Sequence, residues 1–191
     1  MDDADGTASE KKELRVELLA ARDRRSPDAL ERDRSAIRGH VLARAGDLDC
    51  VAAYQPLRTE PGSVQLLAAL HANGLRVIVP ITLADRDLDW AEWTPAGTHD
   101  RLGREAVASA GLVLLPALAV ARDGTRLGRG GGSYDRALAR ASAHSTLAAL
   151  LFDDEVVSWL PRDPWDRPVG AAVTPSGWIS VGRNTDVAPD R

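Results

Sequence analysis

The chain has 191 residues, 44% hydrophobic and 27% charged, a balance that suits one soluble domain with a sizeable core and no need of a disulfide or metal staple. No apolar run approaches the roughly 18 residues that span a bilayer, so a transmembrane helix is excluded. With 24 basic against 28 acidic residues the net charge is -4, which argues against general affinity for nucleic acid but leaves room for local arginine clusters that bind phosphate.

The single cysteine, Cys50, has no partner for an internal disulfide or a two-thiol zinc site and reads as a small buried hydrophobe. The acidic start MDDADGTASE lacks the basic and apolar regions of a secretory signal, so the expected compartment is the cytoplasm. Of the 24 basic residues 22 are arginine, and only Lys11 and Lys12 are lysine. Those two are candidate positions for a compact ammonium.

Residues 1–8 and 184–191 read as loose polar ends, and no repeat, linker or boundary divides the chain, so 1–191 is expected to be one domain. Leu14, Leu18, Leu19 and Ala21 follow a helical period between Ser9 and about Arg24. Ser26-Pro27 then supplies an N-cap and a first-turn proline for a second helix carrying Leu30, Ile37, Val41 and Leu42. Next come a strand over Cys50 to Tyr54, a helix from about Ser63 to Ala72 closed by Asn73-Gly74, and a strand over Leu75 to Val79 stopped by Pro80. Asp87 to Trp93 reads as a strand, Arg101 to Ala110 as a helix, and Leu112 to Leu115 as an apolar strand ending at Pro116. Leu147 to Phe152 and Trp178 to Val181 complete the set. This alternation predicts an α/β fold, three-layer α/β/α with a mainly parallel sheet, whose ligands bind outside the carboxyl ends of the strands.

The stretch most informative about chemistry is Arg122 to Arg136, RDGTRLGRGGGSYDR. Gly128, Gly130, Gly131 and Gly132 follow a strand and precede a helical pattern, which lets backbone N–H groups approach an anion while Arg126 and Arg129 add positive charge. Neither common phosphate motif fits. GxxxxGK[ST] requires a lysine where Ser133 stands, and GxGxxG from Gly128 meets Ser133 in place of its third glycine, so a P-loop NTPase and an ordinary Rossmann dehydrogenase are both disfavoured. Asp135, at a helix start just past the loop, either holds Mg²⁺ beside a nucleotide phosphate or stabilises the helix dipole. There is no GxSxG elbow and no HExxH, and the four scattered histidines read as surface or helix residues rather than catalysts.

The run RLGRGGGSYDR resembles the signature loop RLGxGxGYYDR of the 5-formyltetrahydrofolate cyclo-ligase (5,10-methenyltetrahydrofolate synthetase) family. Lys11 to Arg15, KKELR, is similar to the family's ATP-contacting helix, in which a lysine and an arginine four residues later share a face, and this selects Lys11 and Arg15. Tyr54-Gln55-Pro56 with Glu60 resembles the first strand and folate loop, LLPALAV over 114–120 the strand before the phosphate loop, and DPWDRP over 163–168 the EPHD segment whose aspartate binds magnesium. The resemblance spans roughly residues 10–175. It departs at Ser133 for the first tyrosine, Ala121 for a common aspartate and Trp165 for the histidine, and the 81–100 stretch is short, with Trp90 and Trp93 as the candidates to stack on a pterin.

The resemblance implies an ATP-dependent ligase that closes 5-formyltetrahydrofolate to the 5,10-methenyl compound by phosphorylating the formyl oxygen. ATP would be bound by Lys11, Arg15 and the run Arg126, Leu127, Gly128, Arg129, Gly130, Gly131, Gly132, Ser133 and Tyr134. Arg129 would be the catalytic residue, Gln55, Glu60 and Trp93 would face the reduced folate, and Asp135 with Asp166 would hold Mg²⁺. The expected protein is a monomer with a small-molecule substrate and no nucleic-acid or membrane partner. Two alternatives stay open: a diverged paralogue that activates another amide or formamide with ATP, and a nucleotide- or folate-binding protein without turnover.

Overall fold

The computed structural model describes residues 3–182; Met1, Asp2 and the expected loose end at 184–191 lie outside them. Two helices open the fold, α1 (Asp3–Asp23) and α2 (Pro27–Ala45). α1 begins at Asp3 rather than at Ser9. The start of α2 follows the expected chemistry: Ser26 is extended (φ -69°, ψ 152°), its hydroxyl accepts from the Ala29 N–H at 3.2 Å, and Pro27 occupies the first turn, where no N–H is needed.

The chain then lays down β1 (Cys50–Ala52), α3 (Val64–Ala72) and β2 (Arg76–Thr82), the expected βαβ unit, with β1 and β2 parallel from Cys50↔Arg76 to Ala52↔Ile78. β2 runs through Pro80 instead of stopping there. The Ile78 carbonyl accepts from the Ala53 N–H at 2.8 Å, so by the period of two Pro80 faces the same side, beyond the end of β1, where its missing N–H breaks no ladder bond. β3 (Leu88–Thr94) returns antiparallel along β2, and β4 (Gly97–Arg101) returns along β3.

β5 (Leu112–Pro116), β8 (Thr146–Leu150) and β10 (Ala171–Thr174) extend the parallel ladder on the other side of β1, and β11 (Gly177–Ser180) closes that edge antiparallel. The eight-stranded order is β11-β10-β8-β5-β1-β2-β3-β4, an α/β fold with five parallel strands at its centre. Between β5 and β10 the chain also forms β6 (Ala119–Ala121), β7 (Arg126–Leu127), α4 (Ser133–Leu138) and β9 (Val156–Val157), and the three short strands make a separate sheet, β7-β6-β9.

One expected helix is corrected. Arg101 to Ala110 holds the end of β4 and a 3-10 helix, Arg104–Ser109, with Gly103 at φ +93° before it and no side-chain cap. β4 escaped the periodicity reading because all five of its residues, GTHDR, are exposed, as suits an edge strand.

Alternate residues of the central strands supply two cores. Val51, Val77, Leu112, Leu114 and Val173 pack on the side of α2 and α3, while Ile78, Val113, Leu115, Ala149 and Ala172 pack with Val107 of the 3-10 helix and with Ala137 and Leu138 of α4. α1 lies against the small sheet, where Leu14 and Leu18 meet Ala119, Ala121, Leu127 and Leu160. Its last turn is fixed by a buried ion pair. Arg22 donates to Glu155 through Nε at 2.7 Å and Nη2 at 2.8 Å, and Nη2 also donates to the Ala117 carbonyl at 2.6 Å. Arg22 and Glu155 are 1% and 2% exposed, so removing the guanidinium strands a carboxylate in the interior. Arg22→Met is expected to lower unfolding free energy by about 3–5 kcal/mol in a urea titration, and an unchanged midpoint would show that the pair does not anchor α1.

Candidate functional site

The large cleft, about 990 Å³, opens where the parallel strands end: Pro80 and Thr82 of β2 and Pro116 of β5 line it, opposite α1 and the 126–136 segment. This is the side of an open α/β sheet on which ligands bind.

The glycine run forms one rim. Gly130, Gly131 and Gly132 have φ of +89°, +136° and +68°, three successive conformations that a side chain would strain, and Gly132 caps α4 with no side chain to occupy the helix start. Arg15 reaches this loop from α1, donating from Nε to the Gly128 carbonyl at 2.9 Å. Its guanidinium carbon lies 3.6 Å from where a Cβ on Gly130 would stand. A four-residue spacing on α1 thus carries Lys11 and Arg15 to the same cleft.

Lys11 is 7% exposed and its ammonium bridges two carboxylates, Asp163 at 2.7 Å and Asp166 at 2.5 Å. Burial acts to lower its pKa, but the hydrogen bonds to Asp163 and Asp166 outweigh it and hold the group above a free lysine's value. The two aspartates belong to one turn, in which the Asp166 N–H donates to the Asp163 carbonyl at 3.1 Å and the Asp163 N–H to Asp166 Oδ2 at 2.9 Å.

Asp135 accepts on Oδ1 from Arg126 Nη2 at 2.5 Å and from the N–H of Arg167, the residue after Asp166, at 3.2 Å. That second bond brings together two carboxylates that lie about 30 residues apart in sequence. Among the described residues no three His, Cys, Asp or Glu side chains form a metal cage. Asp135 Oδ2 and Asp166 Oδ1 take no hydrogen bond among the described residues. Two carboxylates beside the glycine loop, each with an oxygen to spare, are a donor set that would fit Mg²⁺ shared with ligand oxygens rather than caged by protein.

Glu60 closes the opposite wall. It is 3% exposed, accepts the Leu57 N–H on Oε2 at 2.9 Å and Arg129 Nε on Oε1 at 3.1 Å, while Arg34 Nε grips its carbonyl at 3.0 Å. The expected folate-facing carboxylate and the expected catalytic arginine are therefore partners. In the cleft, the buried Tyr134 hydroxyl and the Nε of Arg126 have no protein hydrogen-bond partner among the described residues, while Tyr54 is buried in the α3-side core outside the lining. Burial pushes both tyrosine pKa values up, so both remain O–H donors at neutral pH.

Lys11, Arg15, Glu60, Asp135, Asp166 and the whole run from Arg126 to Tyr134 line this cleft. Gln55 is exposed outside the lining, and Trp93 sits in the core on the α3 side, edge-on to His71 at 6.3 Å, so it cannot stack on a ligand in the cleft. Trp90, 1% exposed, is no freer. Sequence reasoning missed Asp163, whose spacing of three from Asp166 signals a turn with two carboxylates, and Thr82 and Leu88, which no motif marks.

A sequence model described as the 5-formyltetrahydrofolate cyclo-ligase family matches residues 7–175. The 5-formyltetrahydrofolate cyclo-ligase of Mycolicibacterium smegmatis is 36% identical over 186 residues, covering 88% of this chain and 95% of that one. The Escherichia coli enzyme of the same name is 39% identical over 66 residues, 34% of this chain and 36% of its own. Among solved structures, the 5,10-methenyltetrahydrofolate synthetase of Aquifex aeolicus superimposes with a TM-score of 0.76 at 23% identity, over 95% of this chain and 97% of that one. The Mycoplasma pneumoniae synthetase gives 0.73 at 21%, over 86% and 98%, and both show the same fold. Because the family match runs from α1 through the glycine loop and the Lys11-bound turn to β10, the chain belongs to the 5-formyltetrahydrofolate cyclo-ligase family.

Proposed function

We propose that this chain catalyses the ATP- and Mg²⁺-dependent closure of 5-formyltetrahydrofolate to 5,10-methenyltetrahydrofolate, releasing ADP and phosphate. The observation that supports the reading is the meeting of Lys11, Arg15, the glycine loop, Arg126 and Arg129 with the carboxylates Asp135 and Asp166 in one cleft. A formamide oxygen is a poor leaving group. Transfer of the γ-phosphoryl group to that oxygen makes it a good one; N10 then attacks the activated carbon, the carbon–oxygen bond breaks with phosphate leaving, and N10 gives up its proton. The protein needs no nucleophile of its own, so its share is positioning and neutralisation of charge.

Lys11 and Arg15 hold the nucleotide phosphates. Arg126 and Arg129, fixed by Asp135 and Glu60, present positive charge to the phosphoryl group in transit without having to be reorganised at that moment. Asp135 and Asp166 would hold Mg²⁺, which when bound draws charge from the phosphate oxygens. Glu60, paired with Arg129, would face the substrate, and the Tyr134 O–H offers the cleft a further donor.

Purified protein given 5-formyltetrahydrofolate and ATP with Mg²⁺ is expected to form the methenyl chromophore, followed by absorbance, and none without ATP. ATP binding with no chromophore would turn the reading to a paralogue with another amide substrate. Arg129→Ala is expected to lower kcat by about 10²-fold, the loss typical of one transition-state donor, with a moderate fall in Tm because buried Glu60 then keeps, among the described residues, only the Leu57 N–H on its carboxylate. A large fall in Tm with turnover intact would make Arg129 structural. Asp166→Asn leaves Asp163 to hold Lys11, so α1 stays docked while the Mg²⁺ concentration for half-maximal rate rises several-fold; an unchanged requirement would remove Asp166 from the metal site.

A further inference from the structure

Trp165 is 69% exposed although it lines the cleft, an unusual position for so large an apolar ring. It is not on a loose loop. Trp165 is the third residue of the 163–166 turn, whose two ends are joined by the Asp166 N–H to Asp163 carbonyl bond and both clamped by the Lys11 ammonium. Pro164 before it fixes its own φ. The indole is therefore held by a rigid support beside the ammonium assigned to nucleotide phosphates. Ala8, one turn before Lys11 on the same face of α1, also lines the cleft and presents only a methyl group there. Glu60, Thr82 and Leu88, by contrast, come from the β1–β2–β3 side.

We propose that Trp165 is the stacking platform for the base of the nucleoside triphosphate, which lies in the slot between the 163–166 turn and the start of α1 at Ala8. The proposal rests on the nucleotide reading above and adds what recognises the base. Stacking uses a π-face that every base possesses, so this contact strengthens nucleotide binding without reading the base's hydrogen-bonding edge.

The test compares ATP with inorganic tripolyphosphate, which has the phosphates but no base, by calorimetry on the full chain. Trp165→Ala is expected to weaken ATP about tenfold and leave tripolyphosphate unchanged, while Trp165→Phe, which keeps a ring, recovers most of the loss. Equal loss for both ligands would make the residue a support of the turn, and unchanged ATP affinity, or a loss confined to 5-formyltetrahydrofolate, would likewise overturn the proposal. Failure of the parent protein to bind either ATP or tripolyphosphate would instead refute the phosphate site itself, and this proposal with it.

Discussion

One stripe of α1 carries the arrangement of the cleft. Lys11, Arg15, Leu18 and Arg22 follow one another at spacings of four, three and four, which on a helix is a single line of side chains. Arg22 is locked into Glu155 and the Ala117 carbonyl, Leu18 packs on the small sheet, Arg15 takes the Gly128 carbonyl and Lys11 takes Asp163 and Asp166. The buried pair at the carboxyl end of the helix thereby sets the height and rotation at which Lys11 and Arg15 are presented to the cleft. Ala117 directly follows Pro116 of β5, so the same contact ties α1 to the strand that floors the cleft.

Several cations of the site have protein acceptors before any ligand arrives: Lys11 its two aspartates, Arg126 Asp135, Arg129 Glu60, Arg15 a carbonyl. This pairing offsets the large desolvation cost that buried unpaired guanidinium or ammonium groups carry. The carboxylates compensate the cations, and under the proposed function Asp135 and Asp166 among them would also supply the donors for Mg²⁺. Under the proposed function, incoming phosphate oxygens would compete for groups already held in place, which would favour ordered geometry over raw affinity.

Much of this was legible in the sequence because it rested on local chemistry. Ser26-Pro27, Asn73-Gly74 and the apolar runs of β1, β2 and β5 obey short-range rules, and the glycine loop declares itself by four glycines in five positions. The KxxxR spacing of Lys11 and Arg15 was readable for the same reason. The apolar period of α1 was less informative, since its working face mixes Lys11, Arg15 and Arg22 with Leu14 and Leu18. β10 was lost because AAVT is rich in alanine, a poor strand former that lies here with all four residues buried. Trp93 misled because the parity of β3 decides which face it takes, and that parity puts it with Val79 on the α3 side. Asp163 and the pairing of Glu60 with Arg129 depend on long-range closure that no window of sequence contains.

The wall opposite α1 is coupled to the glycine loop by charge rather than by apolar packing alone. Arg136, in α4, donates to the Arg86 carbonyl at 2.6 Å, and Arg140, just past the helix, donates to Asp87 at 2.6 Å; Arg104 reaches the same carboxylate at 3.0 Å. The hydrogen bond from Arg140 leads in holding the Asp87 carboxyl below its usual pKa, so this clamp is ionised across the neutral range. Arg86 itself has φ +62°, a conformation unusual for a side-chain-bearing residue, which the contacts around it sustain. Because α4 begins one residue after Gly132 and the β2–β3 hairpin bears Thr82 and Leu88, the glycine loop and the β2–β3 wall of the cleft are joined at two points. Under the proposed function the phosphoryl donor and the formyl oxygen that accepts it would have to approach in a fixed direction, and a rigid tie between the two walls of the cleft would serve that approach.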